Sequence, residues 1–187
     1  MVIDELKTVA ADSESGGKLS LLDVGCGTGQ LLAEISAGLS GRFDSLTGVD
    51  TSSQMLAAAE QKKVPAARFC PGNAEKLPFS DNQFDVVTCC HSFPYYPDKL
   101  RALAEMKRVL KPGGYMLIVS ALENNLYDKF IMRLVKLTTG KASYPSASRM
   151  AQLLRAAGCR VAAPKKLKVK FFMPSIILTV AQAEKAL

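Results

Sequence analysis

The chain reads as an α/β protein built on a mostly parallel sheet with helices on both faces. Three observations carry this reading. Apolar extended runs alternate with segments of helical period from Leu19 to Ser120, at the spacing of βαβ units. The run Phe84–Cys90 holds too few polar residues to be half-exposed, so it belongs inside a sheet buried on both sides. The run Leu21-Leu22-Asp23-Val24-Gly25-Cys26-Gly27-Thr28-Gly29-Gln30 reads as a strand that stops at a glycine loop and turns directly into a helix.

The elements follow in order. The first residues predict a short helix, then a polar, glycine-rich lead-in through Asp12-Ser13-Glu14-Ser15-Gly16-Gly17. Leu19–Val24 is a buried strand. Residues 28–39 form a helix with Leu31, Leu32 and Ile35 on one face. Residues 43–49 are a strand, and 52–62 an alanine-rich helix capped by Thr51 or Ser52. Residues 67–70 and Phe84–Cys90 are strands. A helix over 98–110 is stopped by Lys111-Pro112-Gly113-Gly114 before a strand over 115–120. Beyond it, 127–138 has helical spacing, and 146–157 is a helix ended by Gly158. Two extended runs, 159–172 and 175–183, are separated at Pro174 by a connection short enough for antiparallel pairing.

Length and composition bound the answer. With 187 residues the chain is one domain with an ample core, divided into a lead-in (1–18), a first half (19–120) and a second half (121–187). No apolar run reaches the ~20 residues of a membrane span, and the acid-bearing N-terminus is unlike a secretory signal. Cys26, Cys70, Cys89, Cys90 and Cys159 form no CxxC pair, which predicts reduced thiols in a cytoplasmic protein and no zinc site. The net charge of +7 is unevenly placed. Residues 1–128 carry 12 Lys/Arg against 16 Asp/Glu, and residues 129–187 carry 12 against Glu184 alone.

The glycine loop offers backbone N–H groups free of side chains, as needed to hold a polar, nucleotide-like ligand. The dinucleotide fingerprint is spaced GxGxxG. Here Gly25, Gly27 and Gly29 are spaced GxGxG, and Gln30 stands where the third dinucleotide glycine would be. Asp23 just before the loop would repel a pyrophosphate and attract an ammonium group. Asp50 keeps a nicotinamide reading open, although the spacing and the Lys111–Gly114 turn argue against it.

The segment Asp23–Gly29 resembles motif I of the class I S-adenosylmethionine-dependent methyltransferases. Four further matches follow in order: Leu46-Thr-Gly-Val-Asp50 with Thr51-Ser-Ser-Gln-Met55; Pro71-Gly-Asn73-Ala74-Glu-Lys-Leu77-Pro78-Phe79; Phe84-Asp85-Val86-Val87; and Glu105 through Gly114. The best-fitting subgroup is the ubiquinone/menaquinone-biosynthesis-type methyltransferases. The resemblance implies a Rossmann-like three-layer αβα sandwich, with a mostly parallel seven-stranded sheet whose last strand is antiparallel. It implies S-adenosylmethionine as cofactor, S-adenosylhomocysteine as product, and methyl transfer to a small molecule at oxygen, carbon or nitrogen.

Carried over residue by residue, the resemblance assigns Gly25, Cys26, Gly27 and Gly29 to the methionyl and ribosyl portions. Asp23 belongs near the amino group, Asp50 at the ribose hydroxyls beside Thr51, and Met55 on the adenine face. Asn73, where the family more often has Asp, and the N–H of Ala74 face the adenine edge. Cys90 and the segment after it border cofactor and acceptor.

His91, the only histidine, falls in that segment. It is a base for a weakly acidic acceptor or a residue that holds the strand end. Tyr95 and Tyr96 stack on a flat acceptor or pack a rigid loop. Cys89 and Cys90 read as buried thiols, since nothing nearby in sequence marks an activated one.

The basic second half points to an anionic acceptor or surface. Nucleic acid, a membrane surface and a lipid-like quinone precursor are all compatible with it. The lysines at 165, 166, 168 and 170 also suit an edge strand guarded against pairing. A cofactor-binding subunit that supports a partner without doing chemistry is the alternative from another class. The cofactor half does not select the acceptor atom, and the oligomeric state is left open.

Overall fold

The structure is a computed structural model that describes residues 2–12, 17–121, 133, 142–167 and 176–184. Its strands are β1 (Leu19–Val24), β2 (Phe43–Asp50), β3 (Ala67–Pro71), β4 (Phe84–Cys90), β5 (Leu110–Ala121), β6 (Cys159–Val161), β7 (Lys165–Leu167) and β8 (Ile176–Ala183). Its helices are α1 (Val2–Asp12), α2 (Gln30–Gly38), α3 (Ser53–Gln61), α4 (Lys99–Val109) and α5 (Ala147–Ala156).

The strands form one sheet in the order β3-β2-β1-β4-β5-β8-β6, with β7 also paired to β8. The first five strands are mutually parallel, and β8 runs antiparallel to β5, β6 and β7. The expected reversed last strand is therefore present. Strand order reverses at β1, between β2 and β4, so the C-terminal ends of these strands frame a crevice on one edge.

Two cores fill the faces. On one, Leu6 and Val9 of α1 pack with Leu32 and Ile35 of α2 over Leu21, Leu46, Val86 and Leu178. On the other, Leu103 and Met106 of α4 and Met150 and Leu154 of α5 pack over Leu22, Val87 and Ile118. Each such side chain contributes roughly 1.5–3 kcal/mol by leaving water. The first helix is thus part of the core, which its short amphipathic stretch alone did not dictate.

Several boundaries differ from the sequence reading for physical reasons. Helix α2 begins at Gln30, two residues late, because Gly29 is left-handed (φ 70°) and cannot open a right-handed helix. The extended run 159–172 is divided: β6 and β7 flank residues 162–164 and pair with different stretches of β8. The expected helix over 127–138, the Pro174 connection and the lysines at 168 and 170 lie outside the described residues. Among the described residues, no helix is long and apolar enough to cross a membrane.

The Lys111–Gly114 turn lies inside β5. Phe84 pairs with Leu110 and Val86 with Tyr115, so the intervening residues bulge out opposite Asp85. Asp85 fills the bulge: Lys111 Nζ donates to both its oxygens (2.9 and 2.8 Å), and Ser20 N and Oγ donate to Oδ2 (2.9 and 2.7 Å). One carboxylate thus ties β1, β4 and β5 together at their lower ends. Burial raises its pKa, but the bonds from Lys111 and Ser20 outweigh this, and the net value is lowered.

A group with a depressed folded pKa stabilises above its unfolded pKa and loses that contribution as pH falls. Asp85→Asn should lower stability at neutral pH by about 1–3 kcal/mol. The wild-type advantage should persist down to about pH 4 and shrink below it. Denaturant unfolding of both proteins across this range checks it. A constant difference at all pH values would contradict the account.

Candidate functional site

The crevice is built where β1 stops. Gly25, Gly27 and Gly29 are all left-handed (φ 72°, 53° and 70°), a conformation that turns the main chain back on itself without a Cβ clash. Gly25 N and Cys26 N both donate to Val49 O of β2 (2.8 and 3.1 Å), and Gly29 N donates to Cys26 O (2.9 Å). A Cβ at Gly25 would collide with Ser92, and one at Gly29 would lie 2.8 Å from the Phe69 ring. A Cβ at Gly27 would meet nothing within 4 Å. The loop is therefore packed on its flanks and open at its centre.

Asp50 closes the loop from the tip of β2. Its Oδ2 accepts from Gly27 N at 2.8 Å and its Oδ1 from Ser52 N at 2.9 Å. Ser52 Oγ then accepts from Met55 N at 3.3 Å and caps α3, resolving the choice between Thr51 and Ser52; Thr51 stands exposed in the turn. Met55 is 45% exposed on the first turn of α3.

Asp23 lies beneath the loop and is 2% exposed. Thr88 Oγ1 of β4 donates to its Oδ1 at 2.8 Å. Burial pushes its pKa up to about 7; the Thr88 bond opposes this and the Asp50 charge adds to it. The thiols follow the same physics. Burial first and the Asp23 charge second raise Cys26 to about 12 and Cys90 further still. Burial also raises Cys89 to about 11. These cysteines stay protonated and are poor nucleophiles.

The β3 side supplies Asn73 and Ala74. Gly72 N donates to Asp50 O (3.1 Å), which brings this loop to the same edge. Asn73 Oδ1 accepts from Glu75 N at 2.9 Å, so one of its two lone pairs is spent on its own turn. Ala74 is buried behind it. The loop is anchored from α4. Glu105 accepts from Leu77 N, and Arg108 donates to Leu77 O and Phe79 O while pairing with Glu105 and Asp81. The i,i+3 spacing of Glu105 and Arg108 is visible in the sequence, but their main-chain partners some thirty residues earlier are not.

The β4 side supplies His91. Its backbone is left-handed (φ 65°), uncommon for a residue with a side chain, and its N–H donates to Val119 O at 2.8 Å. The residue is exposed, yet partial burial holds its imidazole below the ordinary value. No hydrogen bond to the ring is present among the described residues.

The two tyrosines part company. Tyr95 is 51% exposed on a single 3-10 turn (Phe93–Tyr95). Tyr96 turns its hydroxyl inward, 3.2 Å from Val24 O and 2.9 Å from Ser92 Oγ. Of the two roles the sequence leaves open for this pair, the Tyr96 hydroxyl fits the packed loop: it braces the glycine loop. Ser92 belongs to the same brace, a role that no local signal in the sequence marks.

At the same edge, a cleft of about 590 Å³ lies beside the first turns of α4 and α5, lined by Pro97, Lys99, Leu100, Ser143, Arg149 and Leu153 among others. Among the described residues, no cluster of His, Cys, Asp and Glu suits a metal ion.

A family model described as "Methyltransferase domain" matches residues 22–118. The demethylmenaquinone methyltransferase of Deinococcus radiodurans is 31% identical over 178 residues, covering 82% of this chain and 73% of that protein. That of Staphylococcus aureus is 36% identical over 137 residues, covering 67% of this chain and 56% of that protein. The chain thus spans little more than half the length of the second relative. The crystal structure of the YcgJ protein from Bacillus subtilis superposes with a TM-score of 0.80 at 21% identity, covering 98% of this chain and 99% of that one, which shows a shared fold. With five ordered motifs, three of them on the strand ends that frame one crevice, the chain belongs to the class I S-adenosylmethionine-dependent methyltransferase family.

Proposed function

We propose that the chain transfers a methyl group from S-adenosylmethionine to a small-molecule acceptor. The observation that carries this is Asp23: a buried carboxyl with a pKa near 7, set beneath an open glycine loop. Burying such a group is costly unless a cation completes it. The cofactor's ammonium group is such a cation, and the open space over Gly27 lets its polar portion approach the main chain. On these grounds the residues present fit the cofactor.

When bound, the cofactor supplies a methyl group already activated by its sulfonium. The protein's work is then binding, alignment and, for some acceptors, removal of a proton. Gly25, Cys26, Gly27 and Gly29 hold the methionyl and ribosyl portions against the main chain. Asp23 neutralises the ammonium. Asp50 spends one lone pair of each oxygen on Gly27 and Ser52 and offers the rest to the ribose hydroxyls. Met55 covers the adenine face, and Asn73 and Ala74 meet its edge. His91, with its lowered pKa, is neutral at physiological pH and ready to accept a proton.

The acceptor sits on the β4 side, near Tyr95. Arg149 lines the neighbouring cleft with Lys99 and Asp98, and the basic excess over residues 129–187 favours an acceptor with negative charge. The name shared by both relatives places demethylmenaquinone-like compounds among the first to test. Incubation with methyl-labelled cofactor and a panel of quinols, phenols and anionic metabolites tests the proposal. Label should move to one class, and His91→Ala should slow transfer by about 10²–10⁴ if that acceptor must lose a proton. Cofactor binding without label transfer to any acceptor, including those of a whole metabolite extract, would contradict enzymatic function.

Asp23 predicts a proton linkage. Its folded pKa of about 7 lies well above the usual carboxylate value, so below pH 7 it is largely protonated. An ammonium ligand favours the ionised form, so binding releases a proton there. S-adenosylhomocysteine should bind more tightly as pH rises from about 6 to about 8, with proton release on the acid side. Calorimetry in buffers of different ionisation enthalpy reads this. Asp23→Asn should bind weakly and without the pH trend; an unchanged trend in that variant would assign the linkage elsewhere.

A further inference from the structure

The acceptor-side segment and the glycine loop meet at one main-chain oxygen, the carbonyl of Val24. Ser92 Oγ donates to it at 2.9 Å, and the Tyr96 hydroxyl lies 3.2 Å from it and 2.9 Å from Ser92 Oγ. Cys89 Sγ joins the cluster, 3.2 Å from Ser92 Oγ and 3.6 Å from the Tyr96 hydroxyl. The residue after Val24 is Gly25, where any Cβ would collide with Ser92. The two segments therefore touch with no room between them.

The segment is held from its other side as well. The Tyr96 ring packs edge-on against buried Phe93, with centroids 6.0 Å apart. Lys99 Nζ donates to Pro94 O and Tyr96 O (3.2 and 3.0 Å). Immediately before Ser92 stands His91 in its left-handed conformation. Such backbone strain persists only where surrounding contacts over-determine it. The contacts on the next residue, Ser92, are of that kind.

We infer that Ser92 and Tyr96 are positioning residues: their hydroxyls, converging on Val24 O, fix the strained backbone of His91 and the seating of Gly25 together. The inference rests on the proposed placement of His91 at the acceptor and of the glycine loop at the cofactor. The Tyr96 hydroxyl is suited to this work. Burial first, then Cys89 and Asp23, keep it protonated well beyond its ordinary pKa, so it remains a donor at every working pH.

His91 is the only histidine in the chain, so its imidazole resonances can be followed by NMR without ambiguity. Burial alone lowers its pKa, with no charged side chain contributing. The wild-type ring should titrate below the ordinary value of about 6.5. In Tyr96→Phe and Ser92→Ala, and further in the double variant, the loosened segment hydrates the ring and the pKa rises toward that value. Affinity for S-adenosylhomocysteine falls by roughly tenfold or less, the weight of one or two hydrogen bonds. Amide spectra and melting curves identify the variants that remain folded, and either single variant suffices if the double does not fold. An unchanged His91 pKa in a folded variant overturns the inference. Failure of the wild type to bind S-adenosylhomocysteine would instead remove the cofactor reading, leaving the His91 titration to decide the positioning role separately.

Discussion

The Asp50 carboxylate is the interaction on which the site depends. It accepts from Gly27 N on one oxygen and from Ser52 N on the other, joining the glycine loop, the tip of β2 and the start of α3. Charge-assisted bonds of this kind are stronger than neutral ones. They act at a loop whose three left-handed glycines have no side chains to hold their shape. The same carboxylate retains acceptor capacity beyond these two bonds, which the proposed function assigns to the ribose hydroxyls.

The site is tuned by desolvation more than by pairing. Asp23 has no basic partner within hydrogen-bonding reach among the described residues, only the Thr88 hydroxyl, and the nearby Asp50 charge makes ionisation harder. Cys26, Cys89 and Cys90 are held protonated by burial. The fold carries an unfavourable electrostatic arrangement, which in the proposed function a cationic ligand relieves. The Asp85 site at the opposite ends of the strands is the contrast: a carboxylate satisfied by Lys111 and Ser20, whose work is structural. Two acids on neighbouring strands thus take different roles because one has a cation and the other lacks it.

The parallel frame and the glycine-loop junction were legible in the sequence because both are local. Strand runs, the GxGxG junction and acids at strand ends each fall within a few residues. What was not legible depends on long-range geometry. Nothing in the sequence places the Tyr96 hydroxyl under Val24, 72 positions away, or makes Ser92 the reason Gly25 must be glycine. The Lys111–Gly114 turn looks like a helix stop, and only pairing with β4 turns it into a bulge around Asp85. The division of 159–172 reflects the register of β8, which the short runs do not encode. The basic second half is also partly explained by contacts: Lys165 pairs with Glu5 of α1, and Arg160 bonds Gln182.

The most direct test of the account is calorimetric titration of S-adenosylmethionine and S-adenosylhomocysteine, with NAD as control and Asp50→Ala alongside. The account predicts binding of the first two ligands, none of NAD, and loss of binding in a variant that remains folded. A folded wild-type protein that binds neither ligand, or an Asp50→Ala variant that binds them undiminished, would contradict it.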